Sequence, residues 1–140
     1  MATVFVCLAN SMKEGGKCIA GIELNTFGDP VRIMGQPKWI RPVCPTTYGE
    51  VPDWIAAPFD LLDILSIDGV IPHPEGYQQE NVLFDQQSIK SIGQFPCTRL
   101  NELCMETDFI FRNQGKAISE EAIGELDHSL MFICVHEFAV

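Results

Sequence analysis

The sequence predicts a mainly β fold with short helices, arranged as a small barrel of about five to seven strands. Three features point there. Short runs rich in β-branched and aromatic residues alternate with clusters of Gly, Pro and Asn. Strand-like runs dominate the first two thirds without the regular βαβ alternation of a doubly wound sheet. Helix-start signals, by contrast, concentrate in the last third.

Taken in order, residues 2–9 (TVFVCLAN) read as a first strand that ends at Asn10-Ser11. A polar stretch with Gly15 and Gly16 leads into a second strand over 18–24, in which Cys18, Ala20, Ile22 and Leu24 share one face. Residues 25–30 are a turn cluster. Residues 31–34 and 38–43 continue as strand, with Trp39, Arg41 and Val43 on one side and Ile40 on the other. Pro42 cannot donate to a ladder, so this strand is expected at an edge or at its own end. Residues 44–59 read as a long loop. Residues 60–67 fit a short helix or a buried strand, and the Ser66-Ile67-Asp68-Gly69 ending favours a strand. Residues 70–79 are a loop and 80–84 a short extended stretch. Helices are expected from Asp85, with Ile89 and Ile92 inward, over 98–106, and over 119–127 behind a Ser119 cap. A strand over 129–136 closes the chain.

A chain of 140 residues, 46% hydrophobic and 20% charged, fits one globular domain over 1–140 with a core of its own. No apolar run approaches the roughly 20 residues of a membrane span, and no signal peptide is evident, so a soluble cytoplasmic protein is expected. The six cysteines contain no CxxC pair and the three histidines no HxxxH unit. Reduced thiols, with Cys7, Cys18, Cys104 and Cys134 in the core, are therefore expected, with no metal and no cofactor.

Charge is uneven. Residues 1–50 hold five basic and four acidic groups, for a net +1, so the rest carries −11 of a total −10. Such a chain repels a long phosphate backbone, but a local basic site in the first third suits one compact anion.

Three constellations bear on function. Gly15-Gly16-Lys17 lacks the GxxxxGK[ST] frame of a P-loop and reads better as a positive-φ turn. Trp39-Ile40-Arg41-Pro42 places a ring that can stack a base near a guanidinium that can pair with phosphate. The alternative is a packed Trp39 with Arg41 paired to an acid such as Glu50. His73, Gln78, Glu80 and Asn81 form a polar cluster around a Pro/Gly loop, suited to lining a ligand site or to a solvated turn. There is no GxSxG elbow, no HExxH and no Cys–His pair at a recognisable spacing. The chain therefore reads as a binding module rather than an enzyme. A hydrolase would need carboxylates converging in a pocket.

Several blocks in order, CLANSMKEGGKCIAGIEL (7–24), KWIRPV (38–43), FDLLDILSI (59–67), HPEGYQQENVLFD (73–85) and HSLMFICVHEF (128–138), resemble the prokaryotic dual OB-containing domain family. The resemblance implies an OB-like β-barrel and a member of a family associated with nucleotide or nucleic-acid binding near bacterial defence or repair genes. Members extend beyond the length of this chain, so a short or missing second barrel is expected. Carried onto matching positions, the resemblance implies ligand-binding residues at Asn10, Ser11, Lys13, Gly16, Lys17, Trp39, Arg41, Glu80 and Asn81. The expected role is a non-catalytic module for a nucleotide or short nucleic acid. The alternative is an acidic module whose second half docks on a basic partner protein.

Overall fold

The computed structural model describes residues 1–13, 15–105, 119–124 and 129–134. These residues form strands β1 (Thr3–Lys13), β2 (Gly16–Leu24), β3 (Arg32–Ile33), β4 (Gln36–Pro37), β5 (Trp39–Val43) and β6 (Val51–Pro52). Helix α1 (Asp53–Ala56) follows, then β7 (Asp63–Ile67), β8 (Ile71–Pro72), β9 (Asn81–Leu83) and β10 (Lys90–Gln94). A 3-10 helix (Cys97–Leu103) and α2 (Glu120–Gly124) come last. The architecture is mainly β with few short helices, as the sequence predicts.

The main sheet runs in the order β10-β7-β1-β2-β5-β9-β8, with β6 added to the end of β2. No pairing joins β10 to β8 among the described residues, so the sheet is not closed by hydrogen bonds. All contacts along the path are antiparallel except β5 with β9, which run parallel. The first strand is longer than expected. Instead of ending at Asn10-Ser11, β1 continues to Lys13 and forms a hairpin with β2, in register from Val4 opposite Leu24 to Lys13 opposite Gly16, with a bulge between Cys7 and Ala9. The polar Ser11 and Lys17 are thus strand residues near a hairpin end.

Alternation along these strands builds two cores, one on each face. Phe5, Cys7, Ile19, Ile40, Leu65 and Ile67 pack with Val51, Ile55, Phe59 and Phe84. Val6, Ile22 and Leu24 pack with Phe95 and Leu103, and Trp39, Ile64, Leu100 and Phe132 join them. Each fully buried side chain of this size contributes about 1.5–3 kcal/mol, so the central strands are held from both sides. Burial pushes the Cys7 thiol up to about 11, which keeps it a neutral packing group. Cys44 is also buried and its thiol is likewise raised by burial. All six cysteines are free, but Cys134 is exposed and not a core residue, because no strand carries it inward.

Gly21 shows how closely the central strands approach. A Cβ there would lie 1.8 Å from the Val6 carbonyl oxygen, so no larger residue fits without moving backbone.

Pro42 is interior to the sheet rather than at its edge. β5 pairs with β2 through Gly21–Ile40 and Ile22–Trp39, then leaves it. From Arg41 onward it pairs with β9 on the other side, and the Arg41 N–H donates to the Glu80 carbonyl at 2.9 Å. The missing N–H of Pro42 falls on the side where pairing with β2 has ended, so nothing is lost.

Other expectations need correction. The loop over 44–59 contains β6 and α1. Residues 85–92 are not helical: the Asp85 carboxylate accepts from the Gln87 N–H at 3.0 Å and its carbonyl from the Ser88 N–H at 3.0 Å, a turn that leads into β10. The Ile89/Ile92 spacing fitted a helix, but β10 pairs with β7 and leaves Ile92 exposed. The helix expected over 98–106 is a 3-10 helix over Cys97–Leu103, with Leu103 buried. The helix over 119–127 is present as Glu120–Gly124, with the carbonyl of Ser119 just before it accepting from the Ile123 N–H at 3.0 Å, and positions 125–127 lie outside the described residues. Residues 129–134 form no strand; the Met105 N–H donates to the Phe132 carbonyl at 2.7 Å, and positions 135 and 136 lie outside the described residues.

Candidate functional site

The site begins with a tight turn. β3 and β4 pair through Arg32–Pro37 and Ile33–Gln36, leaving a two-residue loop of Met34 and Gly35. Both have positive φ, 51° and 80°, the signature of a type I′ hairpin. Gly accepts that backbone freely. Met34 does not, since its Cβ crowds the backbone there, and it is also 97% exposed. Met34 is thus strained and exposed at the loop tip.

This hairpin is fixed from below. Arg32 donates to the Glu102 carbonyl at 2.8 Å and to the Gly35 carbonyl at 3.3 Å. Arg99 grips the Glu102 carboxylate with two 2.8 Å bonds, reaches Asp29 at 2.9 Å, and lies over the Phe95 ring at 5.1 Å. That contact with Arg99 holds the Glu102 carboxyl below the usual carboxylate range. The 3-10 helix and the hairpin are thereby joined.

Beside the hairpin opens a cleft of about 410 Å³, within the size range of small-ligand pockets. Its lining comes from the hairpin and the start of β5 (Ile33, Met34, Gln36, Pro37, Lys38 and Trp39), from Gln79 and Glu80 before β9, and from Met105 and Leu130. The lining is mostly apolar, with few polar groups. Lys38 sits 3.0 Å from Glu23 and keeps 39% of its side chain exposed.

Beneath the cleft lies a buried polar cluster. Arg41 and Glu80 pair at 3.2 Å, with side chains only 7% and 5% exposed. The Ser129 hydroxyl accepts from Arg41 at 2.7 Å and donates to Glu80. Asn81 faces Arg41 across the β5–β9 pairing and donates to the Gln78 side chain at 3.3 Å. Arg41 Nε, Glu80 Oε2 and Asn81 Oδ1 are buried without a hydrogen-bond partner among the described residues. Buried polar groups are normally satisfied, so three such atoms in adjacent residues single this cluster out.

The nine sequence-predicted residues therefore divide. Trp39 and Glu80 line the cleft, while Arg41, paired with Glu80, and Asn81, opposite Arg41 across the β5–β9 pairing, are buried. Arg41 does not reach outward as a phosphate contact: its partner is Glu80, not Glu50, and the pair is internal. Glu50 instead accepts from the Thr46 hydroxyl at 2.6 Å and the Tyr48 N–H at 3.2 Å. Asn10, Ser11, Lys13, Gly16 and Lys17 lie toward the β1–β2 hairpin end. Lys17 is five positions along β2 from Ile22, the partner of Trp39, or about 17 Å at strand rise. There Asn10 donates to the Phe59 carbonyl at 2.7 Å, with its own Oδ1 unpartnered. Lys17 contacts the Met12 sulfur at 3.3 Å. Gly15 has the positive φ expected of the turn, 85°, whereas Gly16 is needed for space, since a Cβ there would meet the Val51 carbonyl oxygen at 2.5 Å. Gln78 joins Asn81 as expected, while His73 touches the cluster only through its backbone N–H, donated to the Asn81 carbonyl. Of the other stacking candidates, Tyr48, Trp54 and Tyr77 are exposed.

Sequence reasoning missed Lys38, Gln79, Met34 and Ser129. The Met34-Gly35 pair between two short strands was a readable turn signal. Ser129 was not findable, because 88 residues separate it from Arg41. Among the described residues there is no cluster of metal-binding side chains, and no helix is long and apolar enough to cross a membrane.

A family model described as dual OB-containing domain matches residues 4–140. No curated protein and no solved structure matches the chain.

Proposed function

The chain belongs to the dual OB-containing domain family, and on that premise we propose that it is a non-catalytic binding module for a nucleotide or the end of a short nucleic acid, with the base lodged in the cleft beside Trp39. OB folds are partly open barrels that bind oligonucleotides and oligosaccharides. The observation that carries the reading is the cleft itself. It gathers Trp39, Lys38, Gln79 and Glu80 around one mostly apolar space of about 410 Å³. Trp39 stacks the base, Gln79 offers its amide to a polar edge, and Lys38 exchanges Glu23 for a phosphate. The Arg41–Glu80 pair is the support beneath the site, fixing β5 against β9 at this point.

A net charge of −10 argues for a compact ligand. A long strand would bring many phosphates near the acidic second half, and salt-driven affinity would be lost. Titration with mononucleotides and short oligonucleotides, followed by calorimetry and tryptophan fluorescence, tests the proposal. Binding that the Trp39→Ala variant loses supports it. No binding across the panel by the folded wild-type protein overturns it.

A further inference from the structure

The cleft is lined by two charged side chains, Lys38 and Glu80, and each already has its counter-charge. Lys38 pairs with Glu23 at 3.0 Å, and Glu80 with Arg41 at 3.2 Å. The web under the hairpin is balanced in the same way. Arg99 grips the carboxylates of Asp29 and Glu102, and Arg32 donates to the Glu102 and Gly35 carbonyls. In these two groups of described residues, four cations meet four carboxylates, with no surplus of positive charge. The two lining pairs also differ in freedom. Arg41 is 7% exposed and cannot turn outward without leaving Glu80 buried alone, whereas Lys38, 39% exposed, can exchange its partner. Nor does the backbone here offer a phosphate cradle. The Met34-Gly35 turn joins two short strands rather than opening a helix. Lys17 of the Gly15-Gly16-Lys17 turn lies about 17 Å along β2 from the partner of Trp39.

Resting on the base-binding reading above, we infer that the cleft takes a ligand carrying no more than one phosphate and discriminates by charge against di- and triphosphates. The ligand is then a nucleoside, a nucleoside monophosphate or the terminal nucleotide of a strand. A first phosphate replaces Glu23 at Lys38, one anion for another. A second and a third find no further exchangeable cation among the described lining residues. They lie instead near the displaced Glu23 carboxylate, on a chain of net charge −10, so each adds repulsion. The rest of the lining suits the uncharged part of such a ligand. Ile33, Met34, Pro37, Trp39, Met105 and Leu130 offer apolar and aromatic surface to a base and sugar. Gln36 and Gln79 offer neutral donors and acceptors.

The test is calorimetry on the full chain with adenosine, AMP, ADP and ATP and with the guanosine series, without magnesium so that the phosphates keep their charge. Nucleoside and monophosphate should bind within about threefold of each other, and the triphosphate at least about tenfold more weakly than the monophosphate. Salt screens exposed charges, so the gap should narrow between about 0.05 M and 0.3 M NaCl. Glu23→Gln leaves Lys38 without its carboxylate and should also bring the triphosphate closer to the monophosphate. The salt series on the wild-type chain reads the same effect even if the variant folds poorly. Binding of the dinucleotide ApA as tight as that of AMP supports the inference through a strand end, and binding of AMP alone supports it through the free nucleotide. A triphosphate that binds as tightly as the monophosphate overturns the inference while leaving the base site standing. So does a gap that neither salt nor Glu23→Gln alters, since the exclusion is then not one of charge. If nothing in the panel binds the folded protein, the base-site reading itself falls and this inference falls with it.

Discussion

At the β1–β2 hairpin end no ion pair is buried among the described residues: Asn10 ties down the Phe59 carbonyl and leaves one buried oxygen without a partner there, Gly16 makes room for Val51, and Lys17 lies against an exposed Met12. At the β5–β9 end, a full ion pair is buried and flanked by orphaned polar atoms beneath an apolar cleft. Both ends are equally suggestive in one dimension, each with cations and small polar residues. Residue type is alike at the two ends, and what separates them is the desolvation of a whole ion pair beside a cleft.

The sharpest way to break this contrast is to remove one charge at each end. Arg41→Ala leaves Glu80 buried without its cation, and should cost about 3–5 kcal/mol in urea unfolding. Lys17→Ala should stay within about 0.5 kcal/mol. Equal losses would mean that the two ends are energetically alike.

The shared core between the ends gives a pH control. The Cys7 thiol titrates near 11 in the fold against an ordinary value near 9. Its neutral form is the folded form, so this contribution is complete below pH 9 and is lost as pH rises through 11. Thermal melts should show a decline over that window, worth on the order of 2–3 kcal/mol at full ionisation. The Cys7→Ala variant should decline less steeply over it.

Gly16→Ala and Trp39→Ala separate stability from binding. The added Cβ at Gly16 should cost about 1–3 kcal/mol of stability while leaving nucleotide affinity unchanged in the folded fraction. Trp39→Ala should weaken nucleotide binding by about 1–3 kcal/mol, read by calorimetry. A reversal of these two outcomes would move the site to the hairpin end.

The smallest effect concerns the lip of the cleft. Met34→Asn places a residue that tolerates positive φ at the I′ position, and should raise stability by about 0.5–1 kcal/mol. The same change removes apolar surface from the cleft and should reduce nucleotide affinity. A Met34→Asn variant that gains stability and binds as well as wild type would show that the strain at Met34 serves no ligand.

Much of the fold was legible in the sequence because strand propensity and turn chemistry are local. The runs over 2–9, 18–24 and 38–43, the strand ending at Ile67 and the 3-10 segment after Pro96 each follow from a few neighbouring residues. The misreadings were places where local signals were degenerate. Ile89 and Ile92 have helical spacing, yet the Asp85 turn and the open side of β7 made their segment a strand. Residues 129–134 are apolar enough for a strand, yet they take no strand conformation: Phe132 packs into the second core and its carbonyl accepts from the Met105 N–H.

Residue pattern alone carried the mainly β character, the family resemblance and nine candidates, Asn10, Ser11, Lys13, Gly16, Lys17, Trp39, Arg41, Glu80 and Asn81, without ranking them. Only the tertiary structure decided that Arg41 is matched by Glu80, that Ser129 completes the pair from 88 residues away, and that Lys17 and Trp39 lie at different ends of one sheet. The reason is physical. Propensity and periodicity act over a few residues, whereas the cost of burying a charge depends on which distant group arrives to neutralise it.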